Sequence, residues 1–283
     1  MTWLVTGAGG MLGQDVLARL AAEGEDAIAL RHADLDITDA AAARVVLAEH
    51  EPAVVVNCAA YTAVDDAETH EDEAFRINGL GPRVLAEACA ASGARLLHVS
   101  TDYVFAGDGT TPYAEDAKPA PRTAYGRTKL AGEEAVLDTL PESGAVVRTA
   151  WLYGAHGPNF VRTMMRLESE RETIDVVADQ RGQPTWTADV AERLLALGRA
   201  PAASGVFHAT NSGEATWHEL AQEVFRLLGA DPDRVRPTTT DKFPRPAPRP
   251  AYSVLGHDRW AEFGIQPIRE WRQALRAAFI TLA

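Results

Sequence analysis

Val5-Thr6-Gly7-Ala8-Gly9-Gly10-Met11-Leu12-Gly13 is the stretch from which the rest of the chain is read. The residues before it, Trp3–Thr6, form a short apolar run of β type. Those after it, Met11–Ala22, carry helical periodicity. The glycines therefore fall on a strand-to-helix turn. Gly7, Gly10 and Gly13 make the pattern GxxGxxG, which removes side chains where a pyrophosphate would meet backbone N–H groups at a helix N-terminus. The third glycine lets the helix pack closely on the strand. A plain glycine turn is the alternative, but the strand–loop–helix setting is the one a dinucleotide site requires.

Outward from this loop, β-type runs alternate with helical patterns. Ala27–Leu30, Ala53–Asn57, Arg95–Ser100 and Ala145–Thr149 read as the next four strands. Between them lie a helix capped by Thr38 or Asp39 and running to His50, a long helix over Asp72–Ser92, and another over Ala124–Asp138. Strands this apolar are buried on both faces, which predicts an α/β fold, a Rossmann-like doubly wound parallel sheet. Residues 1–150 are expected to form the NAD(P)-binding domain. After Trp151 the rhythm changes. Ile174–Val177 and Gly205–Ala209 look like short strands, and Asp189–Ala200, Trp217–Leu228 and Ile268–Leu282 look helical. Phe243–Pro250 holds four prolines and should be irregular. Residues 151–283 are expected to be mainly a small C-terminal substrate-binding lobe, with some segments returning to the Rossmann core.

Composition narrows the function. A chain of 283 residues, 46% of them hydrophobic, can bury a large core. A net charge of −13 argues against nucleic acid or an anionic membrane as partner. No run of eighteen apolar residues occurs, and Met1 and Thr2 lead straight into the first strand without a basic region or cleavage site. The expectation is a cytoplasmic protein with no membrane partner. Cys58 and Cys89 lie in apolar runs and read as buried free thiols. The eight histidines form no HExxH or paired metal-ligand spacing, so no metal site is expected.

The ends of the strands carry the candidate site. The second strand ends at Arg31, where a NAD-preferring site has an acidic residue for the ribose. Arg31 favours a 2′-phosphate; the alternative is an arginine facing solvent. Asp36 and Ile37 follow in a loop that would border the adenine. The third strand ends in Asn57 and the small residues Cys58, Ala59 and Ala60, which leave room for a cofactor. Tyr125-Gly126-Arg127-Thr128-Lys129 is a YxxxK motif on a helix, with both side chains on one face. An isolated tyrosine titrates near pH ~10. A nearby ammonium is expected to lower that value, making Tyr125 a usable acid. Upstream, Ser100-Thr101-Asp102-Tyr103-Val104-Phe105 follows the fourth strand and places a hydroxyl where a substrate carbonyl can bind.

These motifs together resemble the extended short-chain dehydrogenase/reductases, and within them the dTDP-4-dehydrorhamnose reductase family. Besides the segments above, the resemblance rests on Asp34–Thr38, Val56–Asp65, Arg148–Gly154, Asp179–Thr185 and Arg249-Pro250 with Ser253. It implies reduction of the 4-keto group of dTDP-4-dehydro-L-rhamnose to dTDP-L-rhamnose. NADPH is the expected cofactor, with NADH also accepted. Thr101, Tyr125 and Lys129 are the implied catalytic set, with Tyr125 as proton donor. Gly7, Gly10, Met11, Leu12, Gly13, Arg31, Asp36, Ile37, Ala59, Ala60, Tyr61, Thr62, Tyr125 and Lys129 are the expected dinucleotide contacts. Thr101, Asp102, Tyr103 and Trp151 would bind the sugar. The partner is a dTDP-sugar, and the assembly a monomer or homodimer. Some members of the family bridge a dimer through magnesium. Asp15 matches one such ligand, but Ala188 stands where another acid is needed, so no magnesium site is expected. Two alternatives stay open. One is a reductase of another dTDP-4-ketohexose or a dTDP-dihydrostreptose synthase. The other is a non-catalytic dinucleotide-binding regulatory subunit.

Overall fold

A computed structural model describes residues 1–282. The first half alternates β1 (Thr2–Thr6), α1 (Met11–Ala22), β2 (Asp26–Leu30), α2 (Ala40–His50), β3 (Val54–Asn57), α3 (Val64–Ala67), α4 (Glu71–Phe75), α5 (Gly81–Ser92), β4 (Arg95–Thr101), α6 (Ala124–Thr139) and β5 (Gly144–Thr149). The second half adds β6 (Leu152–Tyr153), α7 (Phe160–Glu170), β7 (Ile174–Val177), β8 (Arg181–Gly182), β9 (Thr185–Trp186), α8 (Thr187–Gly198), β10 (Gly205–His208), β11 (Ala215–Thr216), α9 (Trp217–Leu227), β12 (Val235–Thr238) and α10 (Trp271–Leu282).

Six strands form one parallel sheet in the order β10-β5-β4-β3-β1-β2. The strands are apolar on both faces because both are covered. Trp3, Val5, Val54, Val56, Leu97, Ala145 and Val147 pack into a cluster with α1 and α8. Leu4, Val55, Leu96 and Val146, one residue out of step, pack into a second cluster with α2, α5 and α6. That two-residue alternation is the pleat of a strand buried on both sides. The chain leaves β1 toward β2 on one side and β3 on the other. Their carboxyl ends therefore flank the switch point where doubly wound sheets open a crevice.

Three features depart from the expectations. The long helix predicted over Asp72–Ser92 is broken by a π turn, Arg76–Leu80, between α4 and α5. Pro82 sits in the first turn of α5. It has no N–H to donate to the carbonyl four residues back, so the widened turn absorbs the missing bond. The final helix starts at Trp271 rather than Ile268. Several two-residue strands (β6, β8, β9, β11) are too short to leave a periodic signal. Residues after 151 build two things. β10 hydrogen-bonds to β5 at the edge of the main sheet, and α8 packs on α1. The remaining elements form a lobe with its own core, including Val161, Met164, Leu220, Val224, Phe225, Trp271 and Leu275. No described helix is long and apolar enough to cross a membrane.

Candidate active site

A cavity of about 1370 Å³ lies at the carboxyl edge of the sheet, between the sheet and the lobe. The glycine loop forms one wall. Gly7 has a φ of +67°, and a Cβ there would lie 2.5 Å from the Ala59 amide nitrogen. A Cβ on Gly13 would lie 2.4 Å from the Gly7 carbonyl oxygen. These two glycines are thus demanded by packing of loop on strand and helix on loop. Gly9 and Gly10 bring bare backbone to the cavity. The N-terminus of α1 has no side-chain cap, so its first N–H groups are available to an anion. Met11, Leu12, Ala59, Ala60 and Thr62 line the same wall.

Arg31 stands at the cavity's edge beside Gly9, and its guanidinium makes no ion pair among the described residues. The nearest acid in the chain, Asp34, spends an oxygen on the Arg31 backbone N–H, at 2.9 Å. Asp36 and Ile37 also line the edge. Asp36 accepts from the Thr38 amide at 2.9 Å and hydroxyl at 2.8 Å, and these bonds hold its carboxyl below the usual range. Tyr61 does not line the cavity. Its phenol donates to Asp66, and its backbone N–H donates to Asn78 Oδ1 at 2.8 Å. Cys58, read as buried, is only half-buried and lines the cavity, while Cys89 is buried; both are free thiols.

The opposite wall holds Thr101, Tyr125 and Lys129, the candidate reacting groups. Thr101 ends β4, accepts a 3.2 Å bond from the Tyr103 N–H and donates at 3.0 Å to Asp102 Oδ1. Helix α6 is fastened by Thr123, whose Oγ1 accepts from the Gly126 N–H at 3.0 Å. A Cβ on Gly126 would lie 2.2 Å from the Tyr103 carbonyl, so this helix start abuts the turn after β4. The close fit brings Tyr125 to the strand end, edge-on to Tyr103 with ring centroids 5.6 Å apart. Thr101, Asp102, Tyr103, Tyr125 and Lys129 all line the cavity.

Electrostatics here differ from the expectation. Burial pushes the Tyr125 phenol up to about 12, with the Thr101 hydroxyl opposing. Lys129 does not lower it. The lysine is itself buried, and burial brings it down to about 8. Its Nζ is turned to the Val99 carbonyl at 2.7 Å. Tyr125 is therefore protonated at neutral pH, the state a proton donor needs. Burial also pushes Asp102 up to about 6.

Trp151 lines the cavity at a φ of +47°, a strained value for a bulky side chain. Its indole stacks on Trp217 with ring centroids 3.6 Å apart and planes 8° from parallel. Gly182 makes room, since a Cβ there would lie 2.5 Å from the indole. Trp217 belongs to no motif in the sequence. It reaches the site because Thr216 and Glu219 form a capping box that starts α9 at the cavity wall. Arg245 likewise belongs to no motif, and Arg249 only to the family resemblance; both reach the cavity from the proline-rich segment. Arg249 is held by Asp65 at 2.7 Å. No motif spacing announces these residues, because they meet the site only through the lobe's placement.

The buried hydroxyls of Ser100 and Thr149, at the ends of β4 and β5, lack hydrogen-bond partners although they line the cavity. Buried polar groups of this kind call for a ligand or water. With the uncapped helix terminus and the free Arg31, the residues present fit a phosphorylated dinucleotide. No group of three or more metal-ligating side chains occurs among the described residues. Asp15 instead accepts a hydrogen bond from Thr187.

The RmlD substrate binding domain family matches residues 1–283. A probable dTDP-4,6-dihydroxy-2-methyloxan-3-one 4-ketoreductase of Streptomyces antibioticus is 62% identical over 99% of this chain and 95% of its own. A dTDP-4-dehydrorhamnose reductase of Streptomyces griseus is 59% identical over 99% and 93%. Among solved structures, the dTDP-4-dehydrorhamnose reductase of Bacillus anthracis str. Ames in complex with NADP superposes with a TM-score of 0.94. That chain is 39% identical, with 99% and 98% of the two chains covered. From the glycine loop to the last helix, then, this chain belongs to the RmlD family of nicotinamide-dependent reductases.

Proposed function

We propose that the protein reduces the 4-keto group of dTDP-4-dehydro-L-rhamnose, giving dTDP-L-rhamnose, in the cytoplasm, as a monomer or homodimer without a nucleic-acid partner. The observation that carries the reading is the convergence of Thr101, Tyr125 and Lys129 on one cavity with the glycine loop. NADPH, when bound, supplies the hydride. Gly10, Met11, Leu12, Ala59, Ala60 and Thr62 would hold it, with Arg31 at the 2′-phosphate. The chain's own residues do the rest. Thr101 and Tyr125 bind the sugar's 4-oxygen, and Tyr125 gives it a proton. Asp102, Tyr103 and Trp151 orient the sugar, and Trp217 backs Trp151.

A second reading differs in the sugar alone. The relative 62% identical to this chain carries the name of a 4-ketoreductase for a different deoxysugar. NADPH oxidation measured with dTDP-4-dehydrorhamnose and, in parallel, with other dTDP-4-keto sugars decides between them. The dehydrorhamnose substrate is expected to show the highest kcat/KM. A higher value for another sugar moves the assignment to that sugar. No turnover with any of them leaves a dinucleotide-binding regulatory subunit.

A further inference from the structure

Beneath the catalytic lysine lies a chain of buried polar groups that the reduction, as described, does not use. Thr6 on β1, Asn57 on β3 and His98 on β4 are all buried, and they end at Lys129 Nζ. The Ala59 backbone N–H fixes the direction of every hydrogen bond in this chain of groups. Asn57 Oδ1 lies 3.1 Å from the Ala59 backbone nitrogen and 2.7 Å from Thr6 Oγ1. A backbone N–H only donates, so the amide oxygen must face it. Asn57 Nδ2 is then the atom 3.0 Å from His98 Nδ1. An amide NH2 also only donates, so Nδ1 must accept and carries no proton. Burial holds the His98 imidazole neutral. Its single proton therefore sits on Nε2, and Nε2 lies 3.3 Å from Lys129 Nζ.

Two donors face each other at that contact whenever the lysine is charged. An ammonium has three N–H groups and no lone pair, whereas an amine can accept from Nε2–H while donating to the Val99 carbonyl. The other groups around Nζ do not reverse this. Glu133, one turn along α6, favours the charged form, but its carboxylate is clamped by Arg148 at 2.6 Å. The Cys58 thiol is pushed up to about 12 by burial and stays neutral. Tyr125, on the same helix face, is neutral too. No carboxylate pairs with Lys129 among the described residues.

We propose that His98 is a positioning residue of the reduction, which sets the proton affinity of Lys129 through an Nε2–H aimed at the lysine nitrogen. The proposal rests on the reductase reading for its purpose. After Tyr125 has given its O–H proton to the sugar oxygen, the phenolate must regain one. An ammonium whose proton is loosely held is the better source. The burial that brings Lys129 down to about 8 acts in the same direction.

The chain contains only three lysines, Lys118, Lys129 and Lys242, so each can be followed by NMR in intact protein labelled with ¹³C at lysine Cε. Lys118→Arg and Lys242→Arg, both at exposed positions, assign the signals. Lys129 is expected to titrate about two pH units below the ordinary lysine value. His98→Asn keeps an acceptor for Asn57 but withdraws the Nε2–H, and is expected to raise the Lys129 midpoint by about one pH unit or more. The alkaline limb of kcat should move with it. Should His98→Asn not fold, His98→Gln, which can turn a carbonyl toward the lysine, serves the same purpose. The proposal is overturned if Lys129 titrates at the ordinary lysine value in the wild type, or if its midpoint stays in place in the variant. A shifted midpoint in a protein that reduces no keto sugar leaves the His98–Lys129 pair standing and defeats the reductase reading instead.

Discussion

Tyr125 is the proton donor of the proposed reduction. Its burial keeps the phenol protonated, so what Tyr125→Phe removes is the donated proton and little else. General acid catalysis contributes about 10²–10⁴-fold, and kcat of the variant should fall by that factor with NADPH binding retained. Wild-type turnover by the Phe variant would end the assignment. Asp102 is pushed up to about 6 from 3.8 by burial. Between those values the folded chain holds a proton that the unfolded chain has released, so this residue's contribution to stability falls as pH rises through that window. Asp102→Asn should therefore stabilise the protein by about 1–3 kcal/mol at pH ~8. The gain should fade toward pH ~4 in chemical denaturation series, and a pH-independent difference would contradict the burial argument. Arg31 is the third case. A surface arginine–phosphate contact is worth about 1–2 kcal/mol, which predicts a roughly tenfold preference for NADPH over NADH in kcat/KM. Arg31→Asp should reverse that ratio; an unchanged ratio would mean the side chain faces solvent.

At the scale of elements, the π turn Arg76–Leu80 is the feature periodicity could not reveal. Spacing of apolar residues predicts one helix over Asp72–Ser92, and the extra residue in the turn hardly disturbs that pattern. Its effect lies in Asn78, turned inward to receive the Tyr61 N–H at 2.8 Å and to donate to the Tyr61 carbonyl at 3.0 Å. It also donates to Thr128 Oγ1 at 3.2 Å. One side chain thus joins the loop after β3, the π turn and α6. Asn78→Ala leaves these partners unsatisfied and should cost about 2–3 kcal/mol in urea unfolding. It should also raise KM for NADPH more than KM for the sugar nucleotide, because Ala60 and Thr62 lose their anchor. Equal changes in the two constants would show a purely structural role.

Across the whole molecule, residues after 150 contribute to the core of the main sheet as well as to the lobe. Val190, Leu194, Leu195, Leu197, Phe207 and Trp260 complete the core that covers one face of the sheet. Arg95, at the start of β4, donates to the carbonyls of Leu197 at 3.0 Å, Gly198 at 3.2 Å and Ala200 at 2.9 Å, closing the end of α8. A fragment of residues 1–150 would leave β5 as an open edge and Trp3 uncovered. It should lack a cooperative thermal transition by circular dichroism and aggregate on gel filtration. A monomeric fragment that melts cooperatively would show that the first half is self-sufficient.

What the chain determined by itself is local. Strands buried on both faces, a glycine turn between strand and helix, and a tyrosine and lysine four apart on a helix all depend on near neighbours, and periodicity and spacing record them. Ser-Thr-Asp-Tyr-Val-Phe after β4 was legible for the same reason. What only the tertiary structure decided depends on contacts between distant segments. The stacking of Trp151 on Trp217, the grip of Asp65 on Arg249 and the pairing of β10 with β5 span from tens of residues to well over a hundred. The protonation of Tyr125 and Lys129 belongs with these. Spacing puts the pair on one helix face, but burial sets how tightly each holds its proton, and burial is a property of everything packed around them.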